Sequence, residues 1–386
     1  MKNITESIIY IGQDDHDLDL FESQYMLENG MAYNSYVIMD EKIAVMETID
    51  RRKTDEWFAD LESALGGRAP DYLVISHMEP DHAGNIGKFC ERYPNVTLVG
   101  NAKTFAMLPQ FFDVEPLVER LTVKEGDTLS LGSHELTFFM APMIHWPEVM
   151  MEYEKTDKVF FSADAFGKFG TLDTDEDWAC EARRYYFNIV GKYGAQVQSL
   201  LKKIAPLDIR TICPLHGPIL TENLEYHLNL YNIWSSYGVE TDGVFIAYAS
   251  VHGNTKGAAE RMKEILEAKG CPKVAIADLS REDIAECVED AFRYGKVVLA
   301  ASSYDGGVFL PMEDFLTHLK AKAYQGKKIA IIENGSWAPS AARTIKAALE
   351  NMKNITVCEG TVTIKSTVKP ENITAMEALA EELLAE

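Results

Sequence analysis

His77, Glu79, Asp81 and His82 stand within six residues of one another in SHMEPDHAGN, directly after the apolar run YLVI. Imidazoles and carboxylates at that density are metal-binding groups. The end of a buried strand is where such groups can converge without leaving unpaired charge in a core. Three more residues obey the same placement: His145 in PMIHWPEVM after LTFFMA, Asp164 in VFFSADAF, and His216 in IRTICPLHGP. Together these are seven candidate ligands, four imidazoles and three carboxylates. That is more than a single tetrahedral zinc takes from a protein, and it suits two ions sharing a bridging carboxylate. A thiolate-free donor set of this kind fits iron, manganese or zinc, with the carboxylate share favouring the harder ions. His16, His134, His227 and His318 read as ordinary residues: His16 lies in the acidic run DDHDLD, and the last two sit inside helical patterns.

A second stretch with chemical content is YASVHGNTKGAA, where Ser250, Val251, His252, Gly253, Asn254 and Thr255 separate a buried strand from a helix start. Backbone N–H groups at a helix N-terminus, with hydroxyls beside them and a glycine permitting close approach, make a site for one phosphate. The same residues would also serve as a plain N-cap and turn. Two later loops add weight. ASSYDGGVF carries Ser302, Ser303, Tyr304, Asp305 and Gly306, and ENGSWAPSA carries Asn334, Gly335, Ser336, Trp337 and Ala338. Each follows a strand of the same half, and ligands of doubly wound sheets lie beyond the carboxyl ends of the strands. Tyr304 and Trp337 are aromatics available there to stack on an isoalloxazine ring. No G-x-G-x-x-G occurs in this region.

The elements that must position these residues differ between the two halves. From about residue 242 the chain alternates GVFIAYAS, TKGAAERMKEILEAKG, KVAIADL, REDIAECVEDAFRYG and so on to TAMEALAEELLAE. Five strands with five helices in that pattern predict a doubly wound, five-stranded parallel sheet. Before it, YNSYVIMDEKIAVMET, LTVKEGDTLSLGSHELTFFM and VMMEYEKTDKVFFSA read as paired strands joined by charged or glycine-containing turns, as hairpins are. TDEWFADLESAL and NIGKFCERY read as helices between them. The boundary is expected near Gly238 to Gly243, giving domains 1–241 and 242–386.

A length of 386 residues agrees with two domains. The formal charge of −23 would repel phosphate backbones and anionic bilayers, so neither nucleic acid nor a membrane is an expected partner. No run is apolar for long enough to span a bilayer, and the start lacks the pattern of a secretory signal; a cytoplasmic protein is expected. The six cysteines are dispersed without a C-x-x-C pair, which argues against a disulfide framework and against a Cys-ligated metal.

HMEPDH with HWPEVM, SADAFG and PLHGP, followed by the second half described above, resembles the flavodiiron proteins, or A-type flavoproteins, over nearly the whole chain. The resemblance implies a metallo-β-lactamase-like αββα domain with a non-haem diiron centre, then a flavodoxin-like domain with FMN. It implies that His77, Glu79 and His145 hold one iron, that Asp81, His82 and His216 hold the other, and that Asp164 bridges them. Glu79 stands where lactamase-fold hydrolases carry the second histidine of H-x-H-x-D-H, as in the iron family. The implied chemistry is four-electron reduction of O2 to water or two-electron reduction of two NO to N2O. The implied assembly is a head-to-tail homodimer, or a dimer of such dimers, with one subunit's flavin facing the other's irons. Because LLAE ends the sequence without a C-x-x-C pair, electrons are expected from a separate donor such as rubredoxin. Two other readings compete: a binuclear zinc hydrolase fused to a flavodoxin, and an electron carrier with a scaffold domain.

Overall fold

Short apolar runs in the first half give short strands, and most of these assemble into two larger sheets, with Gln13–Asp15 and Met31–Tyr33, and Leu20–Phe21 and Tyr25–Met26, as separate two-stranded pairs. The computed structural model describes residues 2–112 and 118–385. Its first sheet runs β1 (Lys2–Asn3), β2 (Ile8–Tyr10), β3 (Tyr36–Ile38), β4 (Ala44–Met46), β5 (Tyr72–Val74), β6 (Thr97–Gly100) and β7 (Glu119–Thr122), in spatial order β1 to β7. Strands β1 to β4 pair antiparallel; from β4 to β7 the pairs are parallel. Parallel pairs need crossovers. Helix α1 (Thr54–Leu65) supplies the first of them, burying Trp57, Phe58, Leu61 and Leu65 along one stripe and ending at Gly66 in the left-handed region, φ 56°.

The second sheet is β8 (Thr128–Ser130), β9 (Glu135–Met140), β10 (Met150–Glu154), β11 (Val159–Phe161) and β12 (Thr211–Cys213). It is antiparallel up to the last, parallel pair. Ile38, Met46, Val74 and Val99 of the first sheet share one buried cluster with Leu136, Phe138, Met150 and Phe161 of the second. This is the core of the expected sandwich.

One expectation needs correction. LTVKEGDTLSLGSHELTFFM forms a hairpin only in its β8–β9 part; β7, from its start, pairs parallel with β6 instead. A crossover helix, Ala102–Phe111, lies between β6 and β7, so β7 closes a β-α-β unit and is no part of a hairpin.

The later half contains β13 (Thr241–Ala249), β14 (Val274–Asp278), β15 (Tyr294–Tyr304), β16 (Gly307–Val308), β17 (Lys328–Asn334) and β18 (Thr356–Ile364). Five are parallel in the order β14-β13-β15-β17-β18, the flavodoxin-like arrangement. The two-residue β16 folds back antiparallel on the end of β15, an addition to the expected five. Val244, Ile246, Val298 and Ile332 of the sheet pack with Met262 and Leu266 of helix Asn254–Ala268, and with Met376 and Leu379 of helix Pro370–Leu384.

The chain divides into two compact units, Met1–Tyr186 with Ala195–Asn232, and Phe187–Gly194 with Ile233–Glu386. Among the described residues no helix is long and apolar enough to cross a membrane. None of the six cysteines is in a disulfide.

Candidate functional site

The strand ends of the sandwich place the seven polar residues. His77 lies three residues past the end of β5, and Pro80 at the first helical position starts the short helix Pro80–Ala83 that turns Asp81 and His82 inward. His145 lies beyond β9, Asp164 beyond β11 and His216 beyond β12. Non-glycine residues with positive φ flank two of the ligands: Met143 at 66° before His145, and Ala163 at 47° and Phe166 at 67° on either side of Asp164. Such backbone is costly and is retained where surrounding structure over-determines it. After His216, Gly217 has φ 73°, and a Cβ there would come within 2.7 Å of Lys168 Cγ.

Folding gathers these residues into two groups of potential metal ligands: His77, Glu79, His145 and Asp164, and beside them Asp81, His82 and His216. In the first group, His77 Nε2 is 3.2 Å from Glu79 Oε2 and 3.2 Å from Asp164 Oδ2. His145 Nε2 is 2.9 Å from Glu79 Oε2 and 3.4 Å from the same Asp164 oxygen. In the second, His82 Nε2 and His216 Nε2 lie 3.0 Å apart, at 3.4 and 3.3 Å from Asp81 Oδ2. Both are 3.7 Å from Asp164 Oδ1. Asp164 therefore turns one oxygen to each group.

The pocket is enclosed on most sides. His77, His82, Asp164 and His216 are no more than 1% exposed, whereas the Glu79, Asp81 and His145 side chains reach 15%, 11% and 10% and form the more open edge. Phe21, Tyr185 and Tyr33 pack around His216 at ring separations of 5.5, 5.6 and 5.9 Å. Trp146 meets His77 edge-on at 5.2 Å.

Three buried carboxylates in so small a volume demand positive charge. Burial disfavours that charge on His145, but the Asp164 and Glu79 carboxylates outweigh it and push the imidazole up to about 9. His77 is likewise raised against the effect of burial, first by Asp164 and then by Glu148 and Glu79. At His82 burial wins, and its pKa falls to about 4. Burial opposes ionisation of Asp164, yet the histidines hold its carboxyl far below the usual range.

Two metal cations would answer the same demand, and the residues fit them. Both carboxylate oxygens of Asp81 and of Asp164 are buried without a hydrogen-bond partner. His216 Nδ1 faces the Ala32 carbonyl at 2.8 Å and His77 Nδ1 faces Glu148 Oε1 at 3.0 Å. Those acceptors hold a proton on Nδ1 and direct both Nε2 atoms into the pocket, where a metal could take them.

In the later half, a cavity of about 520 Å³ opens at the carboxyl ends of β13, β15 and β17. Every expected flavin-site residue lines it except Gly253, which instead begins helix Asn254–Ala268 at φ 89° and donates its N–H to Ser250 Oγ at 3.0 Å. Thr255 Oγ1 and Ser302 Oγ are 2.8 Å apart, and Ser303 Oγ accepts from the N–H groups of Ser340 and Ala341. Tyr304 is 45% and Trp337 92% exposed. The open helix start, the hydroxyl lining and the two rings fit a phosphate-bearing flavin.

Sequence reading missed two lining residues, Ser340 and Ser366. Ser340 precedes helix Ala341–Leu349 as its cap residue, a position whose serine is itself a signal. Ser366 exchanges backbone hydrogen bonds with the Asn334 side chain at 2.8 and 3.0 Å, a contact across 32 positions without a local signature. Glu148 was also missed.

Residues 31–217 match the family model of ODP family beta lactamases, and residues 245–376 that of flavodoxin domains. The anaerobic nitric oxide reductase flavorubredoxin of Vibrio vulnificus is 29% identical over 360 residues, which is 90% of this chain and 72% of that one. The chain belongs to the flavodiiron family. Diflavin flavoprotein A 1 of Synechocystis is 31% identical over 308 residues, 77% of this chain and 52% of that flavoprotein, so about half of the relative is spanned. The fold of this flavodiiron protein is also that of rubredoxin oxygen:oxidoreductase from the anaerobe Desulfovibrio gigas: the TM-score is 0.91 at 23% identity, covering 99% of this chain and 97% of the other. As a flavodiiron protein the chain has a metallo-β-lactamase-like and a flavodoxin-like part.

Proposed function

We propose that this flavodiiron protein reduces O2 to water, NO to N2O, or both, at a pair of non-haem irons held by the first half, residues 1–241. FMN in the second half, residues 242–386, passes on electrons from a separate donor such as rubredoxin. The observation that carries this reading is the shared carboxylate: Asp164 Oδ2 faces His77 and His145 while Oδ1 faces His82 and His216. A chain with that arrangement and a flavodoxin domain joins an electron-accepting module to a two-metal pocket.

His77, Glu79 and His145 would hold one iron, Asp81, His82 and His216 the other, and Asp164 would bridge. The metals would bind and reduce the diatomic, and the flavin would supply the electrons. The protein's own part is to position and to exclude. Phe21, Tyr33 and Tyr185 wall the pocket beside His216, leaving the edge formed by Glu79, Asp81 and His145 for a small molecule to enter. At the flavin, Ser250, Asn254 and Thr255 at the helix start would bind the phosphate, and Tyr304 and Trp337 would flank the ring system.

A head-to-tail homodimer, or a pair of such dimers, is the assembly that goes with this reading, and the cytoplasm is the compartment. The test is anaerobic loading with iron and FMN, chemical reduction, and measurement of O2 and NO consumption. Uptake of either gas that requires both cofactors is the expected result. Uptake no faster than that of free FMN, or a zinc-dependent hydrolytic activity in its place, would end the proposal.

A further inference from the structure

We propose that Glu148 is a positioning residue for His77, fixing which nitrogen of that ring is offered to a metal and lending the ring negative charge. The inference rests on the diiron reading of the pocket. Glu148 is 1% exposed and lies three residues past His145. One of its oxygens, Oε1, accepts from the Met78 N–H at 2.8 Å and faces His77 Nδ1 at 3.0 Å; the other, Oε2, has no partner. A carboxylate only accepts, so Nδ1 carries a proton at this contact, and Nε2, which faces Glu79 and Asp164, is the nitrogen a metal would take.

Through the Met78 N–H, Glu148 also shares the anchoring of the loop with a second carboxylate. On the other side, Glu47 Oε1 accepts from the backbone N–H groups of Ser76 and of His77, the latter at 2.8 Å. The His77 backbone is thus held by Glu47, and its ring by Glu148. The other group is backed differently: His216 Nδ1 faces a neutral carbonyl, that of Ala32, and His82 Nδ1 has no partner. A carboxylate behind an imidazole makes it a stronger donor and stabilises the more highly charged metal. The geometry therefore makes the His77 side of the pocket the more electron-rich side.

The test uses the full-length, FMN-loaded protein and three variants, E148A, E148Q and E148D. Anaerobic competition with a chelator gives ferrous-iron affinity, and spectroscopic redox titration gives the potentials of the iron pair and of the flavin. E148A is expected to bind iron roughly 10–100-fold more weakly, a typical cost of losing such a partner, with FMN content unchanged. E148Q, which can still accept a hydrogen bond but lacks the charge, is expected to keep most of its iron. Its diiron potential should move upward while the flavin potential stays. E148D should recover part of what E148A loses. If E148A does not fold, E148Q decides alone. An E148Q diiron potential equal to wild type overturns the proposal whatever the alanine variant does. Wild-type protein that takes up no iron would instead overturn the diiron reading on which it rests, so the two failures are distinguishable.

Discussion

The two candidate sites are built on opposite principles. The metal pocket is part of the sandwich interior: its charged groups are nearly inaccessible, and they are held by strand ends from both sheets. The flavin cavity is assembled from loops at one end of a parallel sheet, is lined mainly by hydroxyls, amides and glycine backbone, and carries a tryptophan that is 92% exposed. A site of the first kind is coupled to the stability of its unit, because removing one charge strands the others away from water. A site of the second kind can lose its ligand or a side chain with little consequence for the fold. On the proposed reading, the same chain separates chemistry enclosed from solvent from electron exchange that must be reachable.

The largest effect expected from this contrast is at Asp164. Replacing Asp164 with Ala removes the shared oxygen pair and should deplete both irons together while FMN stays bound; metal analysis beside flavin absorbance reads both. Retention of either iron at wild-type level would contradict the shared-carboxylate geometry. Next comes cofactor removal. Stripping the metals should lower the melting temperature of the first unit, since a ligand at 100 times its Kd stabilises by about 2.7 kcal/mol. Stripping FMN should leave that transition in place. Calorimetry of the two forms checks this, and equal shifts would erase the distinction drawn above.

How much of this was legible beforehand follows the same division. The metal ligands stood out because polar side chains directly after apolar runs contrast with their surroundings. Their grouping by oxygen atom did not, because linear spacing carries no information about which Asp164 oxygen faces which histidine. Glu148 and Glu47 were invisible for a plainer reason: each is one acid among 60 acidic residues, and only burial distinguishes them. The parallel sheet was readable because its strands are long enough to register against the helices between them. Strand β7 was misread because its crossover helix, with Pro109 inside it, carried no recognised helical signal, and the exposed ERLT of the strand lacks the apolar pattern of a central one.

Two glycines sharpen the comparison further. Gly217 and Gly253 both have positive φ, but a Cβ on the first meets Lys168 Cγ at 2.7 Å and its backbone N at 3.2 Å, whereas nothing lies within 4 Å of the second. Gly217→Ala should destabilise by about 1–3 kcal/mol and also reduce iron content. Gly253→Ala, with strain alone, should cost about 1 kcal/mol and act on FMN binding. Chemical denaturation of both variants measures the difference, and the reverse ranking would show that the flavin loop is the more constrained. The smallest structural effect is expected at Trp337, where alanine should change stability by less than about 0.5 kcal/mol. FMN should then bind some 2–10-fold more weakly, the magnitude of one aromatic contact. Unaltered FMN affinity would remove Trp337 from the site.

The carboxylate of Asp164 has a consequence for how such a centre can change over time. A side chain that presents one oxygen to each neighbour cannot rotate for one alone, so an alteration suiting one position to another ion or charge is felt at once by its companion. Evolution can retune this pair together or abandon it, but has little room to adjust its members one by one.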